Sequence, residues 1–197
     1  MIKAGLSVLR LNMSHLSSAS TLKKNIKIFR KEAKTLNKNI AIMMDLSGPK
    51  VRVAEQTNIK IIQNINYTIG YKNSDILLDK PLIFKKQNGS SLIKIDDGKI
   101  SFKILKLSKH QLVIKALDSG YIASKKGVNF PGVTLNLPSV TKTDKDNLKL
   151  AVELKIDWLA QSFVRSQNNI LPIQRILKSH KIDIPIIAKI ETVEAIK

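Results

Sequence analysis

Ile40-Ala41-Ile42-Met43-Met44 sets five apolar side chains in a row with no polar break. A strand with one wet face alternates apolar and polar residues. An unbroken run therefore fits a strand covered on both faces, as in the parallel sheets of α/β proteins. The residues before it agree. Val8-Leu9-Arg10-Leu11-Asn12 is a second strand-like run, and between the two Leu22, Ile26, Phe29, Ala33 and Leu36 recur at helical spacing behind the candidate caps Ser17 and Ser18. Strand, helix and strand in this order predict a βαβ unit with a parallel pair.

The same texture returns near residue 135. A helix capped by Thr141 or Thr143, with Leu148, Ala151 and Val152 inward, leads to a strand over Ile156–Phe163. A helix over Gln167–Ser179, with Ile170, Ile173, Ile176 and Leu177 on one side, leads to a last strand, Ile184–Lys189. Between these stretches, short runs rich in Ile, Leu, Val and Tyr alternate with the turn signals Ile69-Gly70, Asn88-Gly89, Asp97-Gly98 and Ser119-Gly120. Asp97-Gly98, set between Ile95 and Ile100, is the strongest hairpin signal. The expected architecture is α/β. Residues 1–53 and 135–197 supply about four strands of a partial (β/α)8 TIM barrel, and residues 54–134 form an inserted small all-β barrel domain.

A net charge of +19 invites a nucleic-acid reading. The lysines are spread over every segment, however, and no basic run is interleaved with base-stacking aromatics, so nucleic acid is not the expected partner. No stretch approaches the roughly 18 to 20 apolar residues of a membrane span, and the chain has no cysteine. A cytoplasmic chain without a membrane partner is the expectation. There is no Walker-type or GxGxxG loop, no metal-spaced His cluster and no Ser-His-Asp order, and His110 and His180 read as surface residues.

The strand endings carry the functional signal. The four apolar runs end on Arg10, Asn12 and Ser14; on Asp45; on Gln161, Ser162 and Arg165; and on Lys189 and Glu191. In a parallel sheet such endings share one face, which in a (β/α)8 barrel is the mouth where these enzymes act. Two carboxylates, a lysine and an arginine each just past a buried strand suggest metal-assisted chemistry on an anionic substrate.

These segments resemble pyruvate kinase. The resemblance is carried by Ala4-Gly5 with Val8–His15, by Asp45-Leu46-Ser47-Gly48-Pro49-Lys50-Val51-Arg52, by Asp96-Asp97-Gly98, by Ser124–Gly132, by Ser162-Phe163-Val164-Arg165 and by Ala188-Lys189-Ile190-Glu191, all in the family's order. It implies transfer of a phosphoryl group from phosphoenolpyruvate to ADP, giving pyruvate and ATP in glycolysis, with Mg²⁺ or Mn²⁺. It assigns substrate binding and catalysis to Arg10 and Lys189, the divalent metal to Glu191, nucleotide binding to Asn12, His15, Arg52 and Lys126, and a monovalent-cation site to Asn12, Ser14 and Asp45. The inserted domain would be a mobile lid. Many relatives have Thr after the aspartate and Glu after Gly-Pro, whereas this chain has Leu46 and Lys50. The Lys50 ammonium could replace the cation, so K⁺ is not expected to be required.

A (β/α)8 barrel typically takes about 250 residues. The resemblance therefore places one strand before Met1 and three after Lys197. With them would go a second metal-binding aspartate and a C-terminal regulatory domain, and the intact enzyme would be a homotetramer. The 197 residues alone are expected to show no phosphoryl transfer. Three other readings compete: another phosphoenolpyruvate- or pyruvate-handling barrel enzyme, an inactive remnant, and a basic binding protein.

Overall fold

A computed structural model describes residues 1–14, 18–56, 58–86, 92–131, 133–135, 137–191 and 193–196. The chain divides into two compact units, Met1–Pro49 with Pro138–Lys197, and Lys50–Leu137. A single 3-10 turn, Ile2–Ala4, precedes β1 (Val8–Asn12), α1 (Ala19–Thr35) and β2 (Ala41–Leu46). The second unit holds β3 (Val51–Arg52), β4 (Ile59–Ile61), β5 (Asn66–Gly70), β6 (Ile76–Leu77), β7 (Phe84–Lys86), β8 (Leu92–Ile95), β9 (Ile100–Leu107), β10 (Gln111–Ala116), β11 (Gly120–Ile122), β12 (Gly127–Asn129) and β13 (Val133–Leu135). The chain then returns to the first unit with α2 (Lys142–Glu153), β14 (Trp158–Val164), α3 (Gln167–Ser179) and β15 (Ile186–Ile190).

In the first unit four parallel strands lie in the order β1-β2-β14-β15, each beside the next in sequence. A doubly wound sheet would reverse its order at a switch point; sequential order is that of a (β/α)8 barrel, here represented by part of its circuit. Alternation along the strands separates two faces. Leu11, Ile42, Met44, Leu46, Leu159 and Ile186 belong to one hydrophobic cluster with Leu22 and Ile26 of α1, Leu148 and Ala151 of α2, and Ile173 and Leu177 of α3. The residues of opposite parity, among them Arg10, Asn12, Asp45, Ser162 and Lys189, fall on the other face. Val8, Trp158 and Ile187 share that parity and are 45%, 41% and 40% exposed.

The local chemistry explains the boundaries. Ser18 caps α1 by accepting from the Thr21 amide at 3.2 Å. Thr141, rather than Thr143, caps α2 in a reciprocal capping box with Asp144. Two strands begin two residues later than the apolar runs suggest. Asp157 precedes β14 because its carboxylate accepts from the Ile42 amide at 2.7 Å. Pro185 cannot donate to the ladder and stays ahead of β15, though its carbonyl accepts from Leu159 at 3.0 Å.

The second unit is all-β, with the sheet order β3-β12-β8-β9-β10-β5-β6 and the two-stranded pairs β11-β4 and β13-β7. The residues following its two outer strands, Val53 and Leu78, form a bridge, and the Ala54 amide reaches the Leu77 carbonyl at 2.8 Å, which closes the sheet into a small barrel. Because Val51–Arg52 pairs with Gly127–Val128, this unit begins a few residues earlier than the change of sequence texture. Its interior holds Phe102, Ile93, Ile95, Leu112 and Ile114, all essentially inaccessible, with Tyr67 edge-on to Phe102 at 6.3 Å. The β8–β9 hairpin turns at Asp96, Asp97 and Gly98, all at positive φ, as the Asp-Gly signal requires. The Asn88-Gly89 signal lies outside the described residues. Among the described residues no helix is long and apolar enough to cross a membrane.

Candidate active site

Asp45 is the hub. It ends β2 on the face away from the helices, and only 3% of it is exposed. A carboxylate so buried requires charged or hydrogen-bonded partners, and it has three. Arg10 donates to Oδ2 from Nε at 2.8 Å and from Nη2 at 2.5 Å. Lys189 Nζ stands 3.3 Å from Oδ1 and 3.4 Å from Oδ2. Ser162 Oγ lies 3.3 Å from Oδ1 and 2.8 Å from the Leu46 carbonyl oxygen. The parallel register makes this convergence unavoidable, because Asp45 sits between Asn12 of β1 and Ala160 of β14, and Ala160 is beside Ile187 of β15. Each partner is two residues along its strand from one of these neighbours and so points the same way.

Lys189 links the hub to a second carboxylate. Its Nζ donates to Ser162 Oγ at 2.8 Å and lies 3.3 Å from Glu191 Oε1. The other Glu191 oxygen, Oε2, accepts the Phe163 backbone N–H at 2.8 Å. That amide is aimed by an irregularity: the β14–β15 register shifts between Gln161 and Val164, and Phe163 has φ 58°. A bulky residue in the left-handed region is an outlier that costs about 1–3 kcal/mol and persists only where its surroundings hold it.

The loop after β2 is fixed from below. Gly48 has φ +63°, and a Cβ there would meet the Ser162 carbonyl oxygen at 3.0 Å, so only glycine fits without movement. Its amide donates to Oδ1 of the fully buried Asp144 at 3.3 Å, while Asp144 Oδ2 serves the Thr141 cap. Asn12 and Ser14 are bonded locally, the Ser14 amide to Asn12 Oδ1 at 3.1 Å and Ser14 Oγ to Ser47 Oγ at 2.9 Å.

The first unit thus brings Arg10, Asp45, Lys189 and Glu191 into one network, with Asn12 and Ser14 at its strand ends. Arg10 is half exposed; its Nη1 has no protein partner among the described residues, and Lys189 keeps 29% of its side chain accessible. Two cations with reachable donors beside the partly accessible Glu191 carboxylate form a receptor for a small, multiply charged oxyanion. The other expected site residues lie in the second unit. Arg52 donates to the Lys125 carbonyl at 2.9 Å, the Lys50 side chain lies against Gly127, and Lys126 pairs with Asp96 at 3.0 Å. Lys126, and after it Lys99, hold the Asp96 carboxyl below the usual carboxylate range. His15 falls outside the described residues. Ser162, which links Asp45 to Lys189, and the Phe163 amide, which holds Glu191, were legible only as a strand ending and a segment of the resemblance, without these roles. Nothing in the sequence announces a left-handed phenylalanine.

The whole chain, residues 1–197, matches the family model for the pyruvate kinase barrel domain. It is 34% identical over 206 residues to pyruvate kinase of Staphylococcus epidermidis strain RP62A, and 34% over 206 residues to that of Staphylococcus aureus strain USA300. It is 33% identical over 207 residues to pyruvate kinase of Bacillus licheniformis. Each match takes in 100% of this chain and 35% of the relative, so the chain spans about a third of the length of the curated relatives it matches. With its sequentially ordered half-barrel, inserted β-barrel and matching sequence throughout, the chain belongs to the pyruvate kinase family.

Proposed function

We propose that this chain carries part of the machinery that transfers a phosphoryl group from phosphoenolpyruvate to ADP, giving pyruvate and ATP. The observation that supports it best is the Arg10–Asp45–Lys189–Glu191 network at the strand ends of a family barrel. In this reading Arg10 turns its free guanidinium edge to the transferring phosphoryl group, and Lys189 offsets the charge that builds on that group in the transition state. Asp45 holds both cations in place. Asn12, His15, Arg52 and Lys126 approach the nucleotide, and the inserted unit acts as a lid that excludes water. The setting is glycolytic and cytoplasmic, and the intact enzyme is a homotetramer.

Glu191 suits a hard divalent cation such as Mg²⁺ or Mn²⁺. Its carboxylate is accessible, is oriented through Oε2 by a backbone amide, and keeps lone pairs free on both oxygens. Bound there, the metal supplies positive charge to the phosphoryl oxygens.

The monovalent-cation set fits less well. Both Asp45 oxygens already face Arg10, Lys189 or Ser162, and Asn12 Oδ1 accepts the Ser14 amide. This supports a chain that needs no K⁺. No step is assigned to a monovalent ion.

Equilibrium dialysis of the full chain with labelled phosphoenolpyruvate and Mn²⁺ tests the reading. Binding is expected to fall at least about tenfold in Arg10→Ala and in Lys189→Ala, the loss of a charge-assisted hydrogen bond. Equal binding by the parent and both variants would overturn it.

A further inference from the structure

We propose that Ser162 and Phe163 are positioning residues: the Ser162 hydroxyl holds the Lys189 ammonium, and the Phe163 amide, turned by a left-handed backbone, holds the Glu191 carboxylate. The proposal rests on the roles given to Lys189 and Glu191 above. Its grounds are geometric. Ser162 is 5% exposed, and its Oγ has two short neighbours, Lys189 Nζ at 2.8 Å and the Leu46 carbonyl oxygen at 2.8 Å. An ammonium can only donate, so the hydroxyl accepts from Lys189 and gives its single proton to the nearer of two acceptors, the Leu46 carbonyl at 2.8 Å rather than Asp45 Oδ1 at 3.3 Å. Its lone pair is thereby directed at the lysine.

One residue later the chain does the opposite. A regular strand would direct the Phe163 amide along the sheet plane into the ladder. The register shift and φ 58° aim it instead at Glu191 Oε2, 2.8 Å away. Adjacent residues therefore fix a cation and an anion that stand 3.3 Å apart. At this distance the two already form an ion pair. Separate tethers keep each group's remaining donors or lone pairs available to a ligand that carries both negative charge and a metal. Gly48, whose missing side chain lets its backbone approach the Ser162 carbonyl, keeps the tether in register.

Two measurements on the full chain need neither substrate nor metal. Competitive reductive methylation read by mass spectrometry should show Lys189 reacting about tenfold faster in Ser162→Ala than in the parent, and at the parent rate in Ser162→Thr, which restores the hydroxyl. Hydrogen exchange followed by NMR should show the Phe163 amide exchanging about tenfold faster in Glu191→Ala. Unchanged Lys189 reactivity in Ser162→Ala, or an unchanged Phe163 amide in Glu191→Ala, overturns the proposal. Mn²⁺ affinity completes the set: Phe163→Gly, which accepts positive φ, should match the parent, while Phe163→Val should bind several-fold more weakly. Equal Mn²⁺ affinity in Glu191→Gln and the parent would instead overturn the metal role of Glu191, with the two substrate-free results deciding the tethers.

Discussion

Gly48→Ala is the most direct test of how the site is held. At φ +63° an L-residue costs about 1–2 kcal/mol relative to glycine. The added Cβ would stand 3.0 Å from the Ser162 carbonyl oxygen, and because that neighbour is backbone, the strand or the loop must give by a few tenths of an ångström. Lower entropy of the unfolded chain returns about 0.4–1 kcal/mol. The net expectation, with the small backbone displacement included, is a loss of about 1 kcal/mol, or about 4–8 °C in melting temperature for a unit of this size. The protein supplies its own reporter. Its single tryptophan is Trp158 on β14, whereas its three tyrosines, Tyr67, Tyr71 and Tyr121, all lie in the second unit. Tryptophan fluorescence during heating therefore follows the first unit alone. A variant that melts within about 1 °C of the parent would refute the close approach of Gly48 to Ser162. Gly127→Ala is the contrast: its Cβ would meet only the flexible Lys50 side chain, at 2.8 Å, so the cost should be small.

Two further expectations concern the second unit. Phe102→Ala removes a ring with no exposed surface and should cost about 3–5 kcal/mol, read from tyrosine fluorescence in a urea titration; less than about 1 kcal/mol would mean that the ring is not central to the core. Asp96 has a lowered pKa because Lys126 and Lys99 favour its ionised form, so its contribution is present above the unfolded value near 3.8 and is lost as pH falls through the folded value. Asp96→Asn should accordingly be less stable than the parent near neutrality, the difference closing in acid; a difference that grows in acid would contradict the Lys126 and Lys99 pairing.

The parallel sheet could be read in advance because the Ile40–Met44 run argues for a strand and the helical spacing of Leu22, Ile26 and Ala33 for a helix packed on it, but of the two faces expected to be covered only that of Ile42 and Met44 joins the core, Ala41 and Met43 being partly exposed. Convergence of the strand endings followed from topology, since parallel strands leave no other place for Arg10, Asp45 and Lys189. What stayed hidden depends on coordinates that no residue type encodes. In the sequence Asp45 reads only as a polar strand ending and, by the resemblance, as a cation ligand. Its role as the shared counter-ion of Arg10 and Lys189 depends on which rotamers reach it. The Phe163 bulge opposed its own signal, because an aromatic in an apolar run argues for regular strand and the left-handed turn is imposed from outside. The inserted barrel was expected, but the residues that close it, Val53 and Leu78, were not legible, because they follow two strands of two residues each, too short for any periodicity.

The insertion between β2 and β14 also bears on how quickly the sheet can form. The Ile42 amide and the Asp157 carboxylate that staple these strands are 115 residues apart, a separation that makes closure of an unfolded loop slow. Folding of the second unit first pairs Val51 with Val128 and removes most of that span from the search. On loop-closure entropy alone, shortening the free chain from over a hundred residues to about forty recovers roughly 1 kcal/mol, or about fivefold in rate. The inserted barrel would then serve as a folding clamp for a parallel sheet whose central contact is otherwise among the most distant in the chain.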